Sequence, residues 1–121
     1  MLPRMNDNAA FDNFIFSDGQ LLSAICNFAD SIIEVKLQVR KRLGKQIVSC
    51  VVCLRFEMVA KFDVLENFGT SGYYSDVVLV RLSDTQFYAS FDPFGNSGEP
   101  HERDNFVIIA ADCKIDEISG L

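Results

Sequence analysis

Between Ser31 and Arg40 the chain alternates strictly: Ile33, Val35, Leu37 and Val39 are aliphatic, while Glu34, Lys36, Gln38 and Arg40 are polar. A period of two puts the aliphatic set on one face of an extended segment and the polar set on the other, the pattern of a half-buried antiparallel strand. Lys41-Arg42-Leu43-Gly44-Lys45 then predicts a turn, with Gly44 free to take a positive φ. The returning segment, Gln46–Met58, carries Val48, Cys50, Val52, Leu54, Phe56 and Met58 on one face. Its other face (Ile47, Ser49, Val51, Cys53) is also mostly apolar until Arg55 and Glu57, so this strand is expected to be central or covered.

Phe14-Ile15-Phe16 runs into Ser17-Asp18-Gly19, a turn signal. Gln20–Phe28 fits both periods, and the short turn Ala29-Asp30-Ser31 into an evident strand favours a strand there too. Val59–Phe68 loses the alternation and is expected to form a helical turn or a wide loop, closed by Gly69-Thr70-Ser71-Gly72. Tyr73–Leu82 resumes a strand, Ser83-Asp84-Thr85 turns it, and Gln86–Asp92 pairs back with Phe87, Ala89 and Phe91 on one face. Pro93 to Asp104 is a polar loop, long against a usual connection of about 4–6 residues and for that reason a candidate functional loop. Asn105–Ile115 is the last expected strand.

With 121 residues this is one domain, large enough to bury a single core without metals or crosslinks. The expected architecture is mainly β: an antiparallel sandwich or barrel-like sheet of six or seven strands with at most one short helix. Residues 1–13 are expected to be a loosely ordered N-terminal segment and residues 14–121 the β-rich domain. Met1–Asn8 is polar and Phe106–Ala111, the longest apolar run, is too short for a membrane helix, so a soluble cytoplasmic protein is expected.

Four cysteines (Cys26, Cys50, Cys53, Cys113) lack zinc-ligand spacing, and Cys50 and Cys53, three apart on one strand, point to opposite faces. They are expected to be reduced and structural, as in a reducing compartment. His101 is the only imidazole and has no Ser or Cys nucleophile beside it in the chain. Neither Glu99/Glu102/Asp104 nor Asp112/Asp116/Glu117 has the register of a calcium loop, and Gly44-Lys45 lacks the rest of a phosphate-binding loop. No catalytic residue, cofactor or metal site is therefore expected.

Charge is distributed unevenly. Residues 1–60 hold 7 Lys+Arg against 6 Asp+Glu; residues 61–121 hold 4 against 11, and the whole is −6. Five of the bases (Lys36, Arg40, Lys41, Arg42, Lys45) gather around the first hairpin. Direct nucleic-acid binding is not expected from an acidic chain, whereas a basic protein would be steered toward it. The candidate partner-binding residues are Asp63, Glu66, Asp76, Asp84, Asp92, Glu99, Glu102 and Asp104, with Tyr73 and Tyr74 as aromatic anchors and Tyr88, outward on its strand, as a weaker third.

Three stretches carry a family resemblance: Phe14-Ile15-Phe16-Ser17-Asp18-Gly19; Val52–Val59; and Tyr88–Gly95, followed after the polar loop by Asp104-Asn105-Phe106-Val107-Ile108. Together they resemble the bacterial immunity proteins encoded beside polymorphic toxins, including those of contact-dependent growth inhibition. The resemblance covers about Phe14 to Ile115 and rests on fold-shaping residues; where the commoner family pattern has a His before the Asp of the first motif, this chain has Ser17. It implies a non-enzymatic inhibitor that binds a cognate toxin domain, by analogy a basic nuclease. The alternative expectation is a β-barrel or sandwich that binds a small ligand in a Phe- and Ile-lined cavity. A third, an enzyme, would need His101 within hydrogen-bond reach of a thiol or carboxylate. The identity of the toxin, the oligomeric state and any role of the Lys36–Lys45 hairpin in the interface are left open by the sequence.

Overall fold

The hairpin with the strict alternation lies at the centre of the fold. The computed structural model describes residues 11–65 and 72–120. Its strands are β1 (Phe14–Asn27), β2 (Ile32–Leu43), β3 (Gln46–Asp63), β4 (Tyr73–Tyr74), β5 (Val78–Ser83), β6 (Gln86–Asp92) and β7 (Asn105–Gly120). They form one antiparallel sheet in the order β4-β1-β2-β3-β7-β6-β5. No helix occurs among the described residues, and so none is long and apolar enough to cross a membrane.

The sheet has to curl. Its two outermost strands, β4 and β5, are separated in the chain only by Ser75-Asp76-Val77. From Tyr74 to Val78 an extended chain reaches at most about 14 Å. A flat sheet would hold its edges six strand spacings, about 29 Å, apart. The result is a half-barrel rather than a sandwich, and the curl covers the apolar face that no second layer covers. Val35, Leu37, Cys50, Val52, Leu54 and Phe56 meet Phe87, Ala89, Phe91 and Ile108 there with no exposed surface. Phenylalanine rings fill the concave side, with centroids 6.4 Å apart for Phe56 and Phe87, 6.4 Å for Phe56 and Phe91, and 5.6 Å for Phe91 and Phe106. Phe11, which the sequence assigns to a loose N-terminal segment, is buried in this core against Phe16 and Phe87.

Three sequence expectations change. Ser17-Asp18-Gly19 is not a turn between two strands but a bulge inside β1, where pairing jumps from Ile15↔Arg40 to Gln20↔Gln38 and Asp18 takes φ 55°. The same residues that make turns make bulges, because both need a positive φ or a small side chain. Gly19 has no room for more: a Cβ would lie 2.6 Å from the Tyr74 hydroxyl and 2.7 Å from the Gln38 carbonyl. Second, β3 does not stop at Met58. A bulge around Met58 (φ 52°) and a register shift between Val59 and Lys61 explain the lost alternation, and the strand continues to Asp63. Val64 and Leu65 follow as exposed, irregular chain, and the rest of that expected helical turn, with Glu66, lies outside the described residues. Third, Tyr73–Leu82 is two strands, because Ser75–Val77 carries the chain from one edge of the sheet to the other.

All four cysteines are free. Cys50 and Cys113 are buried, and burial pushes both thiols above their ordinary pKa; Cys53 lies on the opposite, convex face.

Candidate partner-binding face

The Pro93–Arg103 loop is built around one carboxylate. Asp104 is 2% exposed, and its oxygens accept from three donors: the Tyr88 hydroxyl at 2.6 Å, the Phe94 amide at 2.7 Å and the His101 amide at 2.9 Å. A carboxylate taken out of water needs such donors, and charge-assisted bonds of this length are the stronger kind. Burial, with the bond to Asp104, pushes the Tyr88 phenol well above its ordinary pKa. Farther out, the Phe94 ring stacks on His101 at 4.5 Å and lies beneath the Arg103 guanidinium at 5.6 Å. His101 Nδ1 accepts the Arg103 amide at 3.0 Å, so that ring nitrogen is already used in holding the loop.

Asn105, the next residue, ties three segments together. Its amide nitrogen donates to Asp92 at 3.0 Å, its amide oxygen accepts from the Leu65 backbone at 2.7 Å, and its carbonyl accepts from the buried Ser90 hydroxyl at 2.7 Å. The end of β6, the start of β7 and the segment leaving β3 are thereby fixed to one another. Between them runs an open groove of about 310 Å³ lined by Lys61, Asp63, Leu65, Tyr88, His101, Glu102 and Asp104, among others.

The structure brings together part of the expected acidic set. Asp63 and Glu102 line this groove, Glu99 lies exposed on the same loop, and Asp92 supports it. Glu66 lies outside the described residues. Asp84 is exposed at the β5–β6 turn, the opposite end of β6. Asp76 lies on the connection between the sheet edges and accepts the Val77 amide at 2.8 Å.

Three expected contact residues are buried instead. Asp104 serves the loop from inside and offers no carboxylate to a partner. Tyr74 is 7% exposed and packs over Gly19 on the concave side, while Tyr73, one residue earlier, is 65% exposed. Tyr88 does lie on the outward face of β6 but is covered, its hydroxyl spent on Asp104. The residue that sequence reasoning missed is Asn105. Its signal was position: an Asp-Asn pair between a long loop and a strand is well placed for a polar junction.

Local charge leaves this face acidic. Lys61 is 3.3 Å from Asp63, and Arg103 packs on Phe94, while Glu99 and Glu102 project without an ion pair among the described residues. No family model, curated protein or solved structure matches this chain.

Proposed function

We propose that this domain is a non-catalytic binding module that docks a basic protein surface on the loop and groove around Asp104, and that it acts as an immunity protein neutralising a cognate toxin domain in the cytoplasm. The supporting observation is the Asp104 latch. It fixes a loop bearing Glu99 and Glu102 before any partner arrives, so little ordering entropy is lost on docking. Exposed carboxylates on such a frame accelerate encounter with a cationic surface, and Phe94, half exposed on the same loop, supplies an apolar contact.

The test is co-expression with the product of the adjacent gene. Rescue of growth and a stable one-to-one complex are expected. The double reversal E99K/E102K is expected to slow association roughly tenfold at low salt and to flatten its salt dependence. A toxic neighbour that is bound equally fast by the reversed chain would move the interface elsewhere. A neighbour that is neither toxic nor bound would remove the immunity reading.

A further inference from the structure

On the convex side of β1, β2, β3 and β7, away from the loop, the strand register lays side chains out in rows. One row runs Ser23, Lys36, Cys53, Asp116; the next runs Ile25, Glu34, Arg55, Lys114. All eight line one open groove of about 600 Å³. In each row β2 and β7 carry opposite charges on either side of β3: Lys36 against Asp116, Glu34 against Lys114. The two rows have opposite polarity.

We infer that this face is a docking surface for a second copy of the chain, packed about a two-fold axis that runs along β3. Such an axis carries β2 of one copy over β7 of the other without shifting the rows. Lys36 then meets Asp116 of the second copy and Glu34 meets Lys114, and symmetry repeats both contacts, giving four ion pairs. An isologous interface has to be self-complementary in this manner, and a random mixture of charges is not. A uniformly charged partner has no such match: around the two rows Lys36, Arg55 and Lys114 are balanced by Glu34, Glu57 and Asp116, three of each sign.

Among the described residues Lys36 and Asp116 have no ion-pair partner, although both act electrostatically on the Cys53 thiol between them. Glu34 and Lys114 have only weak or exposed ones: Glu34 is 3.8 Å from Arg55, and Lys114 is 3.0 Å from Glu57 with 63% of its side chain exposed. One feature opposes the contact. Arg55 falls near the axis and faces its own copy, but Glu57 at 3.0 Å and Glu34 screen it. Exposed Ile25 and Ile118 at the groove margins add apolar area. Two convex faces touch mainly along β2, β3 and β7, so the dimer belongs to the small, salt-sensitive class.

Sedimentation equilibrium of the full chain at low salt, up to roughly 0.1 mM, is expected to show a dimer that dissociates as salt is raised. K36E alone and D116K alone should each weaken it about tenfold or more, since each puts like charges opposite one another twice. Mixing the two single variants should restore a heterodimer, because every altered position then faces an opposite charge; the K36E/D116K double variant should restore a homodimer. Both positions are on the surface, and far-UV circular dichroism checks that each variant is folded. As a measurement independent of these variants, a short bismaleimide, which adds to both thiols and bridges the gap between facing sheets about 10 Å apart, should link the two Cys53 side chains near the axis, and C53S should abolish that crosslinked dimer. A chain that stays monomeric throughout this range overturns the proposal. So does a dimer indifferent to the single reversals, or one that mixing fails to restore.

Discussion

Two buried polar side chains divide the work of this molecule in opposite senses. The Asp104 carboxylate has three donors, and its loss would leave the Tyr88 hydroxyl and the Phe94 and His101 amides without their acceptor. D104A should therefore cost roughly 3 kcal/mol in urea unfolding and loosen the 93–104 loop, seen as faster amide exchange at Phe94 and His101. The Tyr74 hydroxyl, by contrast, is buried with no hydrogen-bond partner among the described residues. Y74F should raise stability by about 1 kcal/mol, since it removes a desolvated group and loses no bond. Burial also pushes the Tyr74 phenol above its ordinary pKa of 10, so the folded state holds a proton that the unfolded chain releases. Its contribution is complete below pH 10 and is lost as pH rises beyond it. Melting temperatures from pH 8 to 11 should accordingly fall less steeply for Y74F than for the parent, with Tyr88 supplying a decline of the same sign in both. An equally steep decline would remove Tyr74 from the account.

At the scale of elements, the β1 bulge is the point where the sheet bends toward its own edge. Gly19 lets Tyr74 of β4 lie against β1, and the Asp18 amide bonds to the Ser75 carbonyl at 2.9 Å, so the bulge holds the start of the connection between the sheet edges. G19A would drive a methyl into the Tyr74 hydroxyl and the Gln38 backbone, and a cost of about 1–3 kcal/mol is expected in a urea titration. The variant G19A/Y74F should recover part of that loss, because the nearest clashing atom is gone. This bend also marks how far the sequence was legible. β2 and β3 could be read because their buried face repeats every two residues and the register leaves nothing else to specify. The bulge could not be told from a turn, since Ser-Asp-Gly serves both. The break between β4 and β5 was hidden because Ser75-Asp76 is too short a polar interruption to mark a change of sheet edge, and only the closure of the whole sheet determines it. The candidate face was legible as a long polar loop rich in carboxylates. Which carboxylate faces inward was not, because charge alone places every one of them in water; the inward turn of Asp104 depends on Tyr88, Phe94 and His101 converging on it.

For the whole molecule, the decisive fact is that the last strand in the chain is not at the edge of the sheet. β7 inserts between β3 and β6, pairing Asp63 with Val107 at one end of β3 and Cys50 with Gly120 at the other, and it brings Ile108, Ala110 and Cys113 into the core. Without it, β1–β3 and β5–β6 would be two separate fragments, each with an unpaired inner edge and half of an apolar face. Neither the β1–β3 sheet nor the β5–β6 hairpin has a second layer to bury that face, and an isolated two-stranded hairpin is marginal in water. Folding must also close long loops before these pairings return any free energy, which places the chain among the slower two-state folders, at milliseconds to seconds. A chain ending at Asp104 is therefore expected to show no cooperative urea transition and little dispersion in its amide NMR spectrum. The full chain should refold in a single slow phase that reports on both halves together. A sigmoidal unfolding curve from the shortened chain would mean that β1–β3 is a self-sufficient unit, and the half-barrel would then be assembled from a stable half rather than closed in one step by β7.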